Sequence, residues 1–338
     1  MDIKKEILEA AKKLNGRVIL PESWDLRVLK AAQMLTKDGI AKVILPAKDI
    51  KEIEKIAKEA SISLAGVSLI EINMSNLDNA QIENFIVARA KKGVSRQDAL
   101  KLLDEPSYFS MMYLKSAKCD TCVCGCVYDT ASVLRAAIDT VGTADGVKLI
   151  SSYFIMLPPS DHKIVKEPIL FADCAVHPDP QALGLKNIAV STIKSFKRLF
   201  PNRQAKVAFL SFSTKESAKS AVLDKTKEAL RLTKEAFKDD SNVFLDGEMQ
   251  FDAAIIPKIG ERKAPDSKVA GNANIFIFPD LNAGNIGYKI AERLGEFQAL
   301  GPIVQGLALP ISDLSRGCNA DDIYLTSAIM LLNKLSNR

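Results

Sequence analysis

The amino-acid sequence predicts an α/β protein built from two α/β domains with largely parallel sheets. Short runs of apolar, β-branched residues alternate with longer segments in which apolar residues recur at helical spacing. The runs are almost continuously apolar, which is typical of strands that helices cover on both faces of a sheet. A length of 338 residues allows two domains, and 47% hydrophobic with 26% charged residues is an ordinary globular composition.

In the first half of the chain, predicted strands alternate with predicted helices. After an amphipathic N-terminal segment, RVILP at 17–21 has the composition of a strand, and DLRVLKAAQMLTKDG at 25–39 has a helical periodicity that ends at Gly39. The same reasoning predicts further strands at 41–47, 67–72 and 147–156, and one within the cysteine-rich segment 119–126. It predicts further helices at 48–60, at 80–93, in two pieces between Ser95 and Lys118 broken near Pro106, and from about Asp129.

The second half repeats this alternation. One helix is predicted to begin at about Pro180 and a long one near Thr214, because apolar residues recur there at helical spacing. The predicted strands fall at 167–176, 206–212, 242–247, 274–280 and 302–310. Gly142 and Gly146 punctuate the chain between the two halves and place the domain boundary near residues 142–150.

Composition and charge exclude several classes of partner. Lys and Arg number 46 against 41 Asp and Glu, so the net charge of +5 is small, and no basic block suggests nucleic acid. The N-terminus lacks the unbroken apolar stretch of a signal peptide, and no apolar run approaches the ~18 residues that a membrane span needs. We therefore expect a cytoplasmic protein that binds neither nucleic acid nor membrane.

Four of the six cysteines lie in the segment CDTCVCGC, at Cys119, Cys122, Cys124 and Cys126. A structural zinc site usually pairs two such groups across a longer loop, often with histidine, whereas both histidines of this chain are distant in sequence. In a strand, alternate residues point the same way in a row, which suits tetrahedral closure poorly. The pattern favours a buried strand over a metal site, and no metal is expected.

Familiar cofactor and catalytic motifs are absent from the sequence. No G-x-G-x-x-G follows the first strand and no G-x-x-x-x-G-K-[ST] occurs, so a dinucleotide fold and a P-loop lack their fingerprints. The G-x-S-x-G elbow of many hydrolases is also missing. With His162 and His177 as the two histidines, a Ser-His-Asp system has few candidates.

Arginines at turns are the positive signal. Arg89 lies at the end of a predicted helix, where a solvated cation is the ordinary explanation. Gly125 after a strand, Thr130 at a helix start and Arg135 further on form a typical anion site, in which backbone N–H groups face the ligand. Arg316 lies in a third such turn. Three basic turns predict a ligand that carries several phosphates.

The segment LPISDLSRGCNADDIYL at 309–325 combines a helix start with residues that a helix start does not need. Asn319 is a good N-cap, and Asp322 three positions later resembles the second half of a capping box. Capping does not explain why Ser315 and Arg316 come shortly before them. These residues are therefore candidates for chemistry.

Long ordered strings of the sequence resemble phosphate acetyltransferase, of the phosphate acetyl/butyryltransferase family. They run over essentially the whole chain from RVILPES, and include FADCAVHPDP at 171–180, LSFSTKESAKS at 210–220, the stretch 246–294 and GPIVQGLALPISDLSRGCNADDI at 301–323. The resemblance implies an isocitrate/isopropylmalate dehydrogenase-like fold with an active-site cleft between two domains. Residues 1–149 plus 309–338 form the first expected domain, to which the C-terminal segment returns, and residues 150–308 form the second.

The resemblance also implies an activity and its reactants. The implied reaction is acetyl-CoA plus phosphate giving acetyl phosphate plus CoA, in either direction, in a homodimer that needs no metal and no cofactor besides its CoA substrates. The implied catalytic residues are Ser315, Arg316 and Asp322, with Asp322 as the general base. The implied residues for binding CoA and phosphate are Arg89, Arg135, Thr130, Asn285 and Lys289.

The sequence departs from the family pattern around the glycine turn. The family usually has Ser-Gly-Ala, two further residues and then Ser-Thr, whereas this chain has Cys124-Gly125-Cys126 and Asp129-Thr130. Asp129 brings a carboxylate close to the expected phosphate pocket, which weakens anion binding unless a nearby cation offsets it. The two cysteines occupy small-residue positions of the family pattern, which implies no metal.

Three alternatives remain at this point. A phosphate butyryltransferase, or an enzyme that prefers propionyl groups, would use the same residues with a roomier acyl pocket. A decarboxylating 2-hydroxy-acid dehydrogenase has a similar fold, but its metal-binding aspartates and nicotinamide site cannot be placed in this sequence. A non-catalytic CoA or acyl-phosphate sensor would have a decayed catalytic set, and the intact Ser315, Arg316 and Asp322 argue against it.

Overall fold

The computed structural model describes residues 3–147 and 149–334. The chain divides into two compact units, Met1–Val147 with Leu307–Arg338 and Lys148–Gly306. The C-terminal stretch therefore belongs to the same unit as the N-terminus. The sequence predicted domain limits at 149/150 and 308/309. These limits refer to domains that fold independently, which a division into compact units does not test, so they stay a prediction.

The first unit contains a five-stranded parallel sheet in the order β11-β4-β1-β2-β3, with strands numbered along the chain. The strands are β1 (Gly16–Ile19), β2 (Ala41–Ala47), β3 (Ser68–Glu71), β4 (Thr121–Val123) and β11 (Ile311–Ser312). Apart from the edge strand β3, they are almost wholly buried, as expected of apolar strands covered on both faces. Because all five run the same way, their carboxyl ends lie along one edge of the sheet.

Helices flank this sheet. They are α1 (Ile3–Leu14), α2 (Leu26–Lys37), α3 (Ile50–Glu59), α4 (Asn79–Ala90), α5 (Arg96–Leu103), α6 (Pro106–Lys115), α7 (Thr130–Thr140) and α13 (Ala320–Lys334). Several begin at a side-chain cap, since Asp25, Asp49, Asp78 and Ser95 each accept a hydrogen bond from a backbone N–H in the first turn that follows. α13 packs against α1, α2 and β4, so the returning helix is part of this core.

The second unit contains a six-stranded mixed sheet in the order β10-β5-β6-β9-β7-β8. Its strands are β5 (Ser151–Leu157), β6 (Ile169–Ala172), β7 (Ala205–Leu210), β8 (Val243–Met249), β9 (Ile275–Ile277) and β10 (Gln298–Gln305). β5 is antiparallel to both of its neighbours, whereas the other pairs are parallel. Its helices are α8 (Ala182–Leu199), α9 (Asp224–Ala236), α10 (Phe251–Ile255), α11 (Pro257–Lys263) and α12 (Leu281–Arg293). The predicted α/β architecture with largely parallel sheets is confirmed.

The strand predicted around the cysteines is shorter than expected. β4 ends at Val123, and the chain then turns at Gly125, whose φ of +103° favours glycine. Cys124 and Cys126 therefore lie in the turn. The expectation that Cys122, Cys124 and Cys126 line up along one strand is wrong.

The helix predicted to begin near Thr214 begins at Asp224. Lys215 and Glu216 have φ of 49° and 66°, which a right-handed helix does not allow. The Ser213 hydroxyl donates a hydrogen bond to the buried Glu248 carboxylate at 2.9 Å, so this segment is held by β8 instead. Similarly, β5 begins at Ser151 and not at 147.

Membrane-spanning helices and clusters of metal ligands are both missing from the part of the chain that the structure describes. Within residues 3–147 and 149–334, every helix is too short or too polar to cross a lipid bilayer. Over the same ranges, no group of three or more His, Cys, Asp and Glu side chains is placed to hold a metal ion. All six cysteines are buried thiols.

Candidate active site

Three loops meet at the carboxyl edge of the parallel sheet in the first unit. β11, β4 and β1 are neighbours, so the segments that leave them are neighbours too. These are residues 20–25 after β1, residues 124–129 after β4, called the glycine turn below, and residues 313–319 after β11, called the SRG loop. Loops at this edge are where ligands bind in open α/β sheets, so they form the candidate site.

A buried glutamate occupies the glycine turn. Glu22 is 1% exposed, and its two carboxylate oxygens accept hydrogen bonds from four successive backbone N–H groups at 2.7–3.1 Å. The donors are Gly125, Cys126, Val127 and Tyr128. The sequence predicted that the backbone N–H groups of this turn face a phosphate. For these four the prediction is wrong, because a carboxylate of the protein itself already holds them.

The guanidinium of Arg27 joins the glycine turn to the SRG loop. Its Nη1 donates to the carbonyl oxygens of Arg316 at 2.8 Å and Cys318 at 3.1 Å, and its Nη2 donates to that of Cys126 at 2.8 Å. Asp25, the N-cap of α2, accepts from Nε at 2.9 Å and from Nη2 at 2.8 Å. These hydrogen bonds hold the pKa of the Asp25 carboxyl below its usual value. One side chain thus contacts both loops.

A buried carboxyl links the SRG loop to the start of α7, directly after the glycine turn. Asp313 is fully buried, and its Oδ2 accepts a hydrogen bond from the Thr130 hydroxyl at 2.6 Å. A β-carbon at Gly125 would lie only 2.0 Å from Oδ1, which explains glycine at this position. Burial raises the pKa of Asp313 to about 7, the charges of Glu22 and Asp129 add to the rise, and the Thr130 hydrogen bond opposes it.

The buried Asp313 predicts a pH-dependent stability. In the folded chain its carboxyl keeps a proton up to about pH 7, whereas in the unfolded chain it ionises near pH 4. Between these values the folded state binds more protons, so the free energy of unfolding falls as pH rises, by roughly 1.4 kcal/mol per pH unit from this group. We expect Asp313→Asn, which stays neutral, to gain stability relative to wild type as pH rises from 4 to 7 in urea unfolding.

Asp129 provides the matched control for that measurement. It lies next to Thr130 but is exposed, and its hydrogen bonds from Ser132 lower the pKa of its carboxyl. Any stability it contributes is present above its unfolded pKa and is lost only in acid, so Asp129→Asn should show no gain over wild type between pH 5 and 7. Parallel curves for Asp313→Asn and wild type would contradict the assignment of a proton to Asp313.

Ser315 and Arg316 are exposed on a loop whose backbone is held in place. The Ser315 hydroxyl oxygen accepts from the Gly317 N–H at 3.3 Å, and the Ser315 carbonyl accepts from the Cys318 N–H at 2.9 Å. The Arg316 carbonyl accepts from Arg27 at 2.8 Å. Exposed side chains on a fixed backbone suit a hydroxyl and a guanidinium that must meet a ligand in a defined geometry.

Asp322 closes a reciprocal capping box at the start of α13. Its Oδ2 accepts from the Asn319 N–H at 3.0 Å, and the Asn319 side-chain oxygen accepts from the Asp322 N–H at 3.0 Å. The capping box predicted from the sequence is confirmed, with Asp in the place usually taken by Glu or Gln. Asp322 is half-buried and lies in the first turn of α13, three residues after the end of the SRG loop.

Arg89 and Arg135 lie on neighbouring helices of the first unit. Arg89 on α4 is 7% exposed, and its Nη1 lies 2.5 Å from Oδ1 of Asp139, whose other oxygen accepts from the Tyr108 hydroxyl at 3.2 Å. Arg135 is exposed on α7, about one turn before Asp139. Burial raises the pKa of Tyr108 to about 12, and the charges of Arg89 and Arg135 oppose that rise. Arg89 is therefore not a solvated helix end, because it forms a buried ion pair.

The remaining predicted residues lie in the second unit. Asn285 and Lys289 are on α12, where the Asn285 amide donates to the Cys174 carbonyl at 3.0 Å and the Lys289 ammonium lies 5.9 Å from the centroid of the Tyr288 ring. In the first unit, hydrogen bonds bring together the segments that carry Thr130, Ser315, Arg316 and Asp322. Arg89 and Arg135 belong to the same unit, on α4 and α7.

Four residues of this arrangement were not predicted from the sequence: Glu22, Arg27, Asp139 and Asp313. For three of them a signal existed, since Glu22 and Arg27 closely follow the first strand and Asp313 directly follows the last. These are the positions from which α/β sheets supply ligand-site residues. Asp139 lies inside a helix and carried no such signal, because only the packing of α4 on α7 brings it to Arg89.

Comparison with known proteins shows which family this sequence resembles. The family model described as phosphate acetyl/butaryl transferase matches residues 2–331. A phosphate acetyltransferase from Clostridium acetobutylicum is 40% identical over 332 residues, which cover 98% of each chain. A phosphate acetyltransferase from Acetivibrio thermocellus is 41% identical over 333 residues, which cover 97% of each chain.

Solved structures agree in fold. A phosphotransacetylase from Staphylococcus aureus has a TM-score of 0.85 and 37% identity, covering 98% of this chain and 99% of the other. A 4-hydroxythreonine-4-phosphate dehydrogenase from Klebsiella pneumoniae has a TM-score of 0.51 at 10% identity over 94% of this chain and 98% of the other, and it shares the fold alone. The predicted dehydrogenase-like fold class is thereby confirmed. On the full-length family match, the sequence identity and the shared fold, this chain belongs to the phosphate acetyl/butaryl transferase family.

Proposed function

We propose that this chain transfers an acetyl group reversibly between CoA and inorganic phosphate: acetyl-CoA plus phosphate gives acetyl phosphate plus CoA. Full-length relatives at about 40% identity carry the name of this activity. The single structural observation that supports it best is the SRG loop, whose backbone is fixed while the side chains of Ser315 and Arg316 stay exposed. A hydroxyl and a guanidinium presented in this way suit a reaction on an acyl phosphate.

In the direction that makes acetyl-CoA, the CoA thiol attacks the carbonyl carbon of acetyl phosphate. A carbon–sulfur bond forms, the bond from that carbon to the phosphate oxygen breaks, and the thiol proton passes to the carboxylate of Asp322. Arg316 binds the phosphate in two hydrogen bonds and offsets its charge as it leaves. Ser315 donates to the carbonyl oxygen, where negative charge develops, or to the phosphate. Both substrates react within one ternary complex, so positioning supplies much of the rate.

The capping box is compatible with Asp322 as the base. A carboxylate has two oxygens and about four lone-pair sites, so an acceptor role toward the Asn319 N–H does not exhaust it. The cap also fixes the rotamer of the carboxylate beside the SRG loop, and fixed geometry is what a general base needs. We propose that the same side chain caps α13 and accepts the thiol proton.

The cations of α4 and α7 bind the phosphates of the substrates in this proposal. Arg135 is exposed, so it can contact a phosphate directly, whereas Arg89 must exchange Asp139 for a phosphate oxygen or act through its charge. Thr130 at the start of α7 adds a hydroxyl. Asn285 and Lys289 of the second unit are proposed as further phosphate contacts.

The test is a coupled assay for the release of CoA from acetyl-CoA. We expect a thiol reagent to detect CoA only when phosphate is present, and acetyl-CoA to be used faster than propionyl- or butyryl-CoA. A preference for butyryl-CoA would replace the acetyl assignment by the butyryl one. Binding of CoA without any turnover would favour a sensor, and formation of NAD(P)H from a 2-hydroxy acid with Mg²⁺ would favour a dehydrogenase.

We also propose that the protein is a cytoplasmic homodimer, with CoA, acetyl-CoA, phosphate and acetyl phosphate as its small-molecule partners. α12 and the residue after it expose an apolar stripe at helical spacing, Ile286, Ile290 and Leu294, which are 57%, 54% and 81% exposed in the single chain. Contiguous exposed apolar residues are typical of surfaces that a second chain covers. Light scattering in solution should give the mass of two chains, and the mass of one chain would contradict the proposal.

A further inference from the structure

Arg27 is outside the proposed catalytic set, but it donates hydrogen bonds to the backbone of the SRG loop, which carries Ser315 and Arg316. Arg27 donates to three carbonyl oxygens, two in the SRG loop and one in the glycine turn. One of the two SRG-loop carbonyls is that of Arg316 itself. The hydrogen bonds join segments that lie 99 to 291 positions from Arg27 in sequence, so they are tertiary contacts and not local turn geometry.

We propose that Arg27 is a positioning residue for the transfer reaction, since its guanidinium holds the loop that presents Ser315 and Arg316 to the substrate. The inference rests on the proposed function for its kinetic consequence, whereas its structural consequence stands without it. Arg27 itself acts through the loop backbone, because its donors are directed at protein carbonyl oxygens and at Asp25.

The chemistry of the contact requires a guanidinium. Nη1 serves two carbonyl oxygens of the SRG loop, while Nε and Nη2 serve Asp25 and Nη2 also reaches Cys126. A lysine ammonium has three donors on a single nitrogen, so it cannot reach all of these acceptors at once. Asp25 is the N-cap of α2, so its hydrogen bond to Nε fixes the guanidinium to the start of a helix.

Displacement of the loop should affect turnover more than folding. A misplacement of about 1 Å in a reacting group costs on the order of 100-fold in rate. Substrate affinity depends on several contacts besides the SRG loop, so it should change less. We therefore expect Arg27→Ala to lower kcat about 100-fold and to change the KM for CoA less than 5-fold.

Arg17 offers a matched control in the same unit. It donates to both oxygens of Asp120 and to the carbonyl of Ala117 at 3.2 Å, so it has the same kind of contacts as Arg27. Its side chain is 41% exposed against 31% for Arg27. Arg17 is the second residue of β1, so it lies near the amino end of the strand and away from the carboxyl edge of the sheet. Arg17→Ala should keep kcat within about 3-fold of wild type.

Limited digestion with trypsin measures the loop without any need for activity. The bond between Arg316 and Gly317 is exposed, and a protease cleaves a segment faster when its backbone is released. We expect Arg27→Ala to be cut at this bond at least 10-fold faster than wild type and Arg17→Ala, as followed by mass spectrometry. Arg27→Lys should be cut nearly as fast as Arg27→Ala, because the fork is lost.

The outcomes separate this inference from the proposed function. Slow turnover together with fast cleavage in both Arg27 variants supports the positioning role. Cleavage equal to that of Arg17→Ala, or a kcat within 3-fold of wild type in the folded variants, overturns it. If wild type shows no acyl transfer, the proposed function fails, and the cleavage rates still decide whether Arg27 holds the loop. Should Arg27→Ala fail to fold, Arg27→Lys decides both readouts.

Discussion

Arg316→Ala is expected to lower kcat/KM for the release of CoA from acetyl-CoA by about 1,000-fold while the protein stays folded. The guanidinium is proposed to bind the phosphate and to offset charge in the transition state, and loss of one preorganised donor of this kind costs about 100- to 1,000-fold. The side chain is exposed, so its removal leaves no cavity in the core. Steady-state kinetics and the midpoint of thermal unfolding measure the two parts of the prediction.

Two variants sharpen this result. Arg316→Lys keeps the charge but loses the two-pronged contact, so it should recover only part of the rate. Arg96 is an exposed arginine of the first unit that pairs with Glu83 at 2.6 Å, and Arg96→Ala should leave the kinetics within about 2-fold of wild type. An Arg316→Ala enzyme within 10-fold of wild type would exclude Arg316 from the transition state.

Asp322→Asn is expected to lower kcat by about 100-fold or more and to leave the affinity for CoA close to wild type. An amide cannot take the thiol proton, and general base catalysis typically contributes 100- to 10,000-fold. The asparagine side chain retains an oxygen that can accept from the Asn319 N–H, so the capping box survives and the unfolding midpoint should change little. Kinetics at saturating CoA and a thermal melt of the same preparation give both numbers.

A substitution of Asn319, the capping partner, separates the structural role of Asp322 from its catalytic role. Asn319→Ala removes the other half of the capping box and leaves the Asp322 carboxylate in place, so it should cost about 1 kcal/mol of stability and less than 5-fold in kcat. The contrast between the two variants is diagnostic. If Asp322→Asn loses stability and keeps its turnover, Asp322 is a structural cap and another group must accept the thiol proton.

Local chemistry allowed much of the fold to be predicted. Apolar runs such as AKVILPA predicted β2 over the residues that form it, because a buried strand needs no information from elsewhere in the chain. The capping box at Asn319 and Asp322 was likewise readable, since both partners lie within four residues. The break at Pro106 fell where α6 begins, with proline at its first position.

Predictions failed where distant segments compete for the same groups. The glycine turn has the sequence of an anion site, yet Glu22, about a hundred residues earlier, holds its N–H groups. Arg89 has the position of a solvated helix end, yet Asp139 buries it in an ion pair. The helix expected near Thr214 gives way to a loop that Glu248 holds. In each case a carboxylate far along the chain decided the outcome.

The sequence by itself determined the alternation of strands and helices, the caps, the family and the identity of the candidate catalytic residues, because these follow from patterns over a few residues or from long ordered strings. Only the tertiary structure decided which charges are already neutralised and which side chains hold the loops. Glu22, Arg27 and Asp313 act across 99 to 291 positions of chain. Hydrogen bonds and ion pairs depend on distances of about 3 Å, and sequence order carries no information on such distances between remote segments.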